Sequence, residues 1–551
     1  MGQGGPPRVD PVLRRDVRGG APRPPPRVLD RGGGARGRWR GPGNLLGGPL
    51  ARWTSRRGDS GRDPPGASHR LPRPGARAVI VPGAKLVCTL GPATESGDRV
   101  RALAEAGCDV FRVNFSHGGP KDHATRVQVV RSICDDLGSD LAVMADLPGP
   151  KIRLGDLVTE PLALSAGSRF VLRPDGRAGD AGGASITYAG LARDVGPGDR
   201  ILLADGAVEL IVRDVDGDEV VTEVVRPGSI RARAGVNVPA ERLGLPAITD
   251  RDKEALAAAL DLGVDLVAQS FVRSAADLAG LRALMGARVL PIVAKIETRP
   301  AVEDIDKVLE EADAVMVARG DLGVELPMEE IPVVQKEILL AARRAARPAI
   351  VATQMLESMT HAPRPTRAEA TDVANAVLDG ADAIMLSAET AIGEFPVEAA
   401  AAAVRIAEVA EERGSPFRAA RPACTHADEG AAAAHAASQI AGDDPDVVAV
   451  SCFTRTGRTA AFLSSERPPV PIYAFAPDPA VRRALAIRWG VRALPAAVPD
   501  DTDDMIALMD EGLRAAGAAT DGQLVVLVAA SPFGRAHTNM IKIHRLGSPV
   551  G

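Results

Sequence analysis

Residues 314–325 read AVMVARGDLGVE, and this stretch decides the fold. Ala314 to Ala318 form an apolar run of strand length, and an Arg-Gly-Asp turn follows at once. One strand earlier the same change recurs, where VLPIVA, residues 289–294, runs into Lys295, Ile296 and Glu297. In parallel βα proteins such a switch marks the strand ends that build the active site. Side chains alternate along a strand, so Lys295 and Glu297 are expected to point one way, and Arg319 and Asp321 likewise. Glu297 and Asp321, delivered from neighbouring strand ends, suit one hard divalent cation held through oxygen, with Lys295 a compact positive charge beside them.

Working outward, apolar runs of strand length fall at 85–90, 109–115, 141–145, 266–270, 289–294, 314–318, 349–353 and 383–386. Helix-length segments follow most of them, at 97–106, 121–137, 251–262, 275–285, 301–311, 328–346, 367–378 and 397–412. Alternation on this scale predicts an α/β protein with a closed (β/α)8 TIM barrel, built from residues 83–154 and 235–415. The connection after the third strand is too long for a βα loop. Its runs FVLRPDG, RILLADGAVELIV and EVVTEVVRPG alternate with Asp-Gly and Pro-Gly turns, which predicts a small β-barrel inserted at about 155–234. Insertions at βα loops overhang the catalytic face, so this one is placed to act as a lid domain. From about 427 to 551, segments such as DVVAVSCF, PIYAFAP and QLVVLVAA alternate with helical stretches, too few for a second barrel. An open-sheet C-terminal α/β domain is expected there.

The chain has 551 residues, more than one core accommodates. Apolar residues make up 45% and aromatics only 3%, an ordinary composition for a water-soluble protein. No run is apolar for about 18 residues, so no membrane span and no membrane partner are expected. Five scattered cysteines lack metal-ligand spacing and fit a reducing, cytoplasmic location. Residues 1–77 hold 17 Arg against five Asp, a net +12 within an overall −5, which leaves −17 on the remainder. Gly and Pro crowd the same stretch, so residues 1–82 are expected to be a disordered Arg/Gly/Pro-rich extension. A nucleic-acid or membrane-attracting arm and a targeting segment are alternatives; the favoured reading is translated upstream sequence.

The motifs KLVCTLGPAT, FRVNFSHG, ADLPGPKIR, AKIET, VMVARGDLGVE, ATQMLESM, PRPTRAEATDVANAVLDGADAIMLSAET and TNMIKIHR resemble those of the pyruvate kinase family over about residues 85–547. The resemblance implies transfer of the phosphoryl group of phosphoenolpyruvate to ADP, giving ATP and pyruvate in the final step of glycolysis, in a cytoplasmic homotetramer. It implies catalytic roles for Lys295 on the travelling phosphoryl group, for Arg112 on the substrate phosphate, and for Thr353, Ser387 and Glu389 in relaying the proton. Ala318, Gly320 and Asp321 would hold the substrate carboxylate. Glu297 and Asp321 would bind Mg2+ (or Mn2+), and Asn114, Ser116, His117 and Arg153 would face the nucleotide.

Potassium-dependent members read DTKGPEIR where this chain reads DLPGPKIR, Asp146 to Arg153. Asn114, Ser116, Asp146 and Leu147 match their potassium site, but Lys151 replaces a Glu, and a tethered ammonium there implies that K+ is not required. AGVNVP from Ala234 departs from the family's KGVNLP; a nucleotide-contacting Lys is absent, and Arg233 is the candidate replacement. Thr454, Thr456, Gly457, Arg458 and Thr459 resemble the family's effector-phosphate loop and imply a phosphorylated effector, a helix N-cap being the bland reading. Two other functions compete. A Mg2+-dependent pyruvate-enolate lyase or aldolase would not need the lid or the pair Arg112 and Arg153. A nucleic-acid-binding protein using the Arg-rich arm conflicts with a body at −17, so no nucleic-acid partner is expected.

Overall fold

β1 (Lys85–Leu90), β2 (Val110–Asn114) and β3 (Ala142–Asp146) open a barrel that the chain leaves for about a hundred residues before completing. The computed structural model describes residues 83–204, 206–238, 243–414, 428–534 and 537–549, and the expectation of a disordered extension over 1–82 lies outside them.

The excursion forms β4 (Ile152–Arg153), β5 (Leu162–Leu164), β6 (Arg169–Arg173), β7 (Gly183–Ser185), β8 (Arg200–Leu203), β9 (Val208–Asp216), β10 (Glu219–Arg226), β11 (Gly228–Ile230) and β12 (Gly235–Asn237). Seven of these make one sheet in the order β4-β12-β8-β9-β10-β6-β7, and a bridge from Leu154 to Ile186 joins its two edges. The sheet wraps a core of its own around Phe170, Leu172, Ile201 and Leu210. Its outermost pairing, β4 with β12, takes in residues on both sides of 155–234.

The barrel resumes with β13 (Leu266–Gln269), β14 (Ile292–Ile296), β15 (Ala314–Ala318), β16 (Ala349–Ala352) and β17 (Ala383–Leu386). All eight strands are parallel and closed in the order β1-β17-β16-β15-β14-β13-β3-β2. Ala142, Ala268 and Ala314, Met144, Met316 and Met385, and the branched Val87, Val110, Val293 and Ile350 fill the interior together, leaving a packed core and not a pore. A C-terminal sheet of β18 (Val447–Phe453), β19 (Ile472–Ala476), β20 (Val491–Pro495), β21 (Leu524–Ala529) and β22 (Met540–Arg545) runs β20-β19-β18-β21-β22, parallel except for β22.

An internal repeat holds the base of the barrel. Asp109, Asp265, Asp313 and Asp382 stand immediately before β2, β13, β15 and β17, the second, fourth, sixth and eighth strands of the barrel. Each accepts a backbone N–H of the barrel strand before it, at Leu86 (2.9 Å), Val143 (2.7 Å), Ile292 (3.0 Å) and Ala349 (2.9 Å). Each also meets a cation, Lys85, Arg131, Arg282 and Arg467 in turn. A charge-assisted bond to a strand's first free donor fixes strand register where no helix or ladder could. Arg467 and Arg483, the latter 2.6 Å from Asp265, come from the C-terminal domain, so two of the four aspartates also anchor that domain beneath the barrel.

The four sequence words are GCDV, GVDL, EADA and GADA, a signal that a search for apolar runs alone passes over.

Candidate active site

Charge gathers at the opposite end. Arg112, two residues before the end of β2, donates through Nε to Asp146 Oδ2 at 2.7 Å and through Nη1 to the Thr89 hydroxyl at 3.0 Å. Asp146 closes β3, and its other oxygen stands 3.3 Å from Lys295 Nζ. Lys295 reaches Glu297 Oε1 at 2.7 Å and donates to Ser270 Oγ at 2.7 Å. Ser270 passes the chain on by donating to the Leu147 carbonyl at 2.8 Å. A guanidinium, a carboxylate, an ammonium and a second carboxylate therefore follow one another across three strand ends, all of them buried.

Burial presses the Lys295 ammonium toward losing its proton, but Asp146 and Glu297 together outweigh it, and its pKa ends above the usual lysine range. Burial also acts to raise Asp146, where Lys295 and Arg112 win and hold it below the carboxylate range. Glu297 shifts the other way. Burial lifts it, the charge of Asp321 adds to that, and Lys295 offsets only part. Its second oxygen accepts the Phe271 N–H at 2.8 Å, with Phe271 in the left-handed region at φ 54°.

Arg319 and Asp321 do not share a face, as strand alternation would have them do. The chain turns into helix at Arg319, over Arg319–Glu325, so strand alternation stops applying and a step of two residues swings the side chain about 200°. Arg319 accordingly points away, to Asp372 at 2.7 Å and to the Thr353 carbonyl at 2.7 Å, while Asp321 lines the cleft under the lid. Ala318 caps this helix and is buried, and the Gly320 N–H donates to Thr353 Oγ1 at 2.9 Å. Thr353, at the exit of β16, has φ 72° and is followed by Gln354 at φ 54°, a strained pair that the Arg319 fork holds in place.

Ser387 follows β17 with its hydroxyl buried and lacking a hydrogen-bond partner among the described residues. Glu389 is fully buried, and its two oxygens accept the backbone N–H groups of Ser387 (2.7 Å) and Leu356 (3.0 Å). Both acceptors being occupied, Glu389 ties the exits of β16 and β17 together.

The cleft, of about 480 Å3, is lined by His117, Lys151, Arg153 and Asp321 among others. Asn114 Oδ1 accepts the Ser116 N–H at 3.0 Å, which shapes the turn carrying His117. Burial lowers the His117 pKa, and Arg153, Lys151, Arg112 and Arg251 lower it further, so the imidazole lies in a positive field suited to phosphate groups. Arg153 lies on β4, and its Nη1 donates to the Arg233 carbonyl at 3.2 Å. Gly149 lets this arrangement close: at φ 68°, a Cβ there would stand 2.8 Å from Ser270 Cβ and 2.8 Å from Phe271 Cδ2.

Thr89, Ser270, Phe271 and Gly149 escaped the sequence reading, although Thr89 and Ser270 are polar residues at strand exits, the same signal that marked Lys295. In the C-terminal domain Thr454, Thr456, Arg458 and Thr459 line a cavity of about 470 Å3, with Gly457 at φ 83° before the helix Arg458–Glu466. Arg458 is ion-paired to Asp428, and Thr459 Oγ1 lies 2.7 Å from Thr538 Oγ1. Among the described residues no helix is long and apolar enough to cross a membrane.

The donor set suits a hard divalent cation. Glu297 Oε1 is buried and ion-paired to Lys295 Nζ at 2.7 Å, with no aligned hydrogen-bond donor among the described residues. Asp321 adds a second carboxylate with no hydrogen-bond donor among the described residues. Two carboxylates without a third protein ligand match Mg2+, which retains water and takes substrate oxygens.

Fold and site together define a TIM-barrel protein whose cleft at the open strand ends is lined by cations and suited to anions. The profile described as "Pyruvate kinase, barrel domain" matches residues 81–400, and "Pyruvate kinase, alpha/beta domain" matches 431–544. A pyruvate kinase of Mycobacterium intracellulare is 44% identical over 84% of this chain and 98% of its own length. One from Corynebacterium efficiens is 42% identical over 84% and 98%, and one from Geobacillus stearothermophilus 40% over 84% and 80%. The chain belongs to the pyruvate kinase family.

Proposed function

We propose that this protein moves the phosphoryl group of phosphoenolpyruvate to ADP through the chain of charge that runs from Arg112 to Glu297. An ADP β-phosphate oxygen attacks phosphorus, the P–O bond to the enol breaks with its electrons going to the enolate, and C3 takes a proton to give pyruvate. Little covalent work falls to the protein in such a transfer; positioning and charge do most of it. The observation that carries the reading is Lys295, a buried ammonium held 2.7 Å from Glu297 and 3.3 Å from Asp146 yet facing the cleft end of the barrel.

Lys295 and Arg112 bind the phosphoryl oxygens and offset charge that grows as the bond breaks. Gly320, Ala318 and the Arg319-supported turn at Thr353 orient the carboxylate. Thr353 and Ser387 stand where a proton reaches the enolate, with water as the immediate donor because a hydroxyl is a poor acid; Glu389 positions Ser387. Glu297 and Asp321 would hold Mg2+ or Mn2+, which supplies Lewis-acid stabilisation of the same oxygens when bound. His117 and Arg153, with Asn114 and Ser116 shaping the turn, face the nucleotide.

Lys151 supports turnover without K+. Its charge acts on both His117 and Glu297, and Asp146 and the Leu147 carbonyl are already engaged by Arg112, Lys295 and Ser270. A coupled pyruvate assay with Mg2+ should give full rates in tetramethylammonium buffer and none without ADP. Rates that collapse there and return with KCl would refute the potassium reading; no pyruvate under any condition would refute the activity. A phosphorylated effector at Thr454–Thr459, a homotetrameric assembly and a cytoplasmic setting complete the proposal.

A further inference from the structure

Along each barrel strand every second side chain faces the axis, and at the open end those inward positions turn polar. Val87, Val110 and Met144 belong to the packed interior, and the next inward positions on β1, β2 and β3 are Thr89, Arg112 and Asp146. Thr89 and Arg112 are direct partners in the β1–β2 ladder, so their side chains rise on the same side of the sheet. Thr89 is the uncharged member of the three and is only 3% exposed, so its hydroxyl is answered by protein groups and not by solvent.

A hydroxyl carries a single proton, and Thr89 commits it to the Leu386 carbonyl on β17 at 2.8 Å. Its oxygen is then left to accept, which it does from Arg112 Nη1 at 3.0 Å. Donation therefore runs one way, from guanidinium to hydroxyl to carbonyl, across the three adjacent strands β2, β1 and β17. Asp146 takes Nε from the other side at 2.7 Å. The Nε bond alone would let the guanidinium plane swing about it, and the Thr89 bond at a second nitrogen stops that rotation. Nη2 has no hydrogen-bond partner among the described residues, so its N–H groups remain for an anion.

We propose that Thr89 is a positioning residue for the phosphate of phosphoenolpyruvate, acting through Arg112 by fixing the plane in which the guanidinium offers its free N–H groups. The inference rests on the phosphoryl-transfer reading above. A planar fork binds phosphate oxygens well only when its orientation is set in advance, because otherwise ordering it costs part of the binding energy. Leu386 immediately precedes Ser387, so the same hydroxyl also ties the phosphate-binding arginine to the strand exit on the proton side of the site.

Thr89→Val keeps the shape of the side chain and removes the hydroxyl. Expected are a KM for phosphoenolpyruvate raised about tenfold or more, a KM for ADP within twofold of wild type, and inhibition by pyruvate, which lacks the phosphate, within twofold as well. Thr89→Ala should show the same split if the valine variant folds poorly, and Thr89→Ser, which restores the hydroxyl, should bring the phosphoenolpyruvate KM back to within threefold. Thr390→Val is the control for loosened strand exits: its hydroxyl donates to the Thr89 carbonyl at 2.9 Å and makes no bond to Arg112, so both KM values should stay within threefold. Calorimetric affinity for phosphoenolpyruvate, measured alongside, keeps the two readings apart. Wild type that makes no pyruvate but binds phosphoenolpyruvate about tenfold more tightly than Thr89→Val would refute the activity and keep the positioning role. Phosphoenolpyruvate affinity and KM within twofold of wild type in Thr89→Val, an equal rise in Thr390→Val, or no recovery in Thr89→Ser would overturn that role.

Discussion

Gly149→Ala should disable the enzyme out of proportion to its size. The added methyl would lie 2.8 Å from Ser270 Cβ and 2.8 Å from Phe271 Cδ2, well inside contact distance, and the residue would be held at φ 68°. Left-handed backbone costs an alanine about 1–2 kcal/mol, and relieving the overlap costs about 1–3 kcal/mol more. Relief means movement of Ser270 and Phe271. Those residues hold Lys295 Nζ at 2.7 Å and a Glu297 oxygen at 2.8 Å, so a shift of several tenths of an ångström passes directly to the charged pair. Displacement near 1 Å can lower rates about a hundredfold. Gly138→Ala is the comparison: at φ 60° it bears the same backbone penalty with nothing within 4 Å of the new methyl. Steady-state kinetics and urea unfolding of the two variants should therefore diverge, with kcat down about tenfold or more in Gly149→Ala and near wild type in Gly138→Ala. A Gly149→Ala enzyme with kcat within threefold of wild type would show that Ser270 and Phe271 do not set the position of Lys295 and Glu297.

Three further outcomes are expected. Lys295→Met should lower kcat by about a thousandfold or more with phosphoenolpyruvate affinity changed only a few-fold in an equilibrium titration; turnover within tenfold of wild type would exclude Lys295 from the transfer step. Calorimetry should detect a sugar phosphate or nucleoside monophosphate binding to wild type and weakly or not at all to Thr456→Ala, and equal heats in the two proteins would remove the effector loop from consideration. In the C-terminal domain, burial acts to raise Asp510, but the Gly547 N–H, His544 and Arg514 outweigh it and hold its pKa below the ordinary value. Its contribution is thus complete above the unfolded carboxylate pKa and fades as pH falls through the lower folded value. Followed by Trp489 fluorescence, the stability gap between wild type and Asp510→Asn should be widest at neutral pH and close below about pH 4; a gap constant down to pH 3 would contradict this.

Much of the barrel was legible because its strands are buried on both faces, which leaves uninterrupted apolar runs in the sequence. Ala314–Ala318 and Ala383–Leu386 have the bounds the runs suggest. The strand that carries Lys295 starts three residues later than its run, at Ile292, since Val289 is 55% exposed and apolar character alone does not distinguish a loop residue. β20 and β22 went unread because they lie at the edges of the C-terminal sheet and carry mixed residues, VRALP and MIKIHR.

What the sequence determined by itself was which chemistry is present: polar residues breaking off apolar runs at Arg112, Asp146, Lys295, Thr353 and Ser387 depend only on local order along the chain. The tertiary structure decided how they meet. Only the pairing of β13 with β3, across the inserted domain, and with β14 on its other side brings Asp146 from β3 to Lys295 on β14, and only the helix that begins at Arg319 turns Asp321 toward the cleft and Arg319 away from it. Distances between strand ends, and the strain at Thr353, come from packing between segments far apart in the chain, where neighbouring residues carry no record of them.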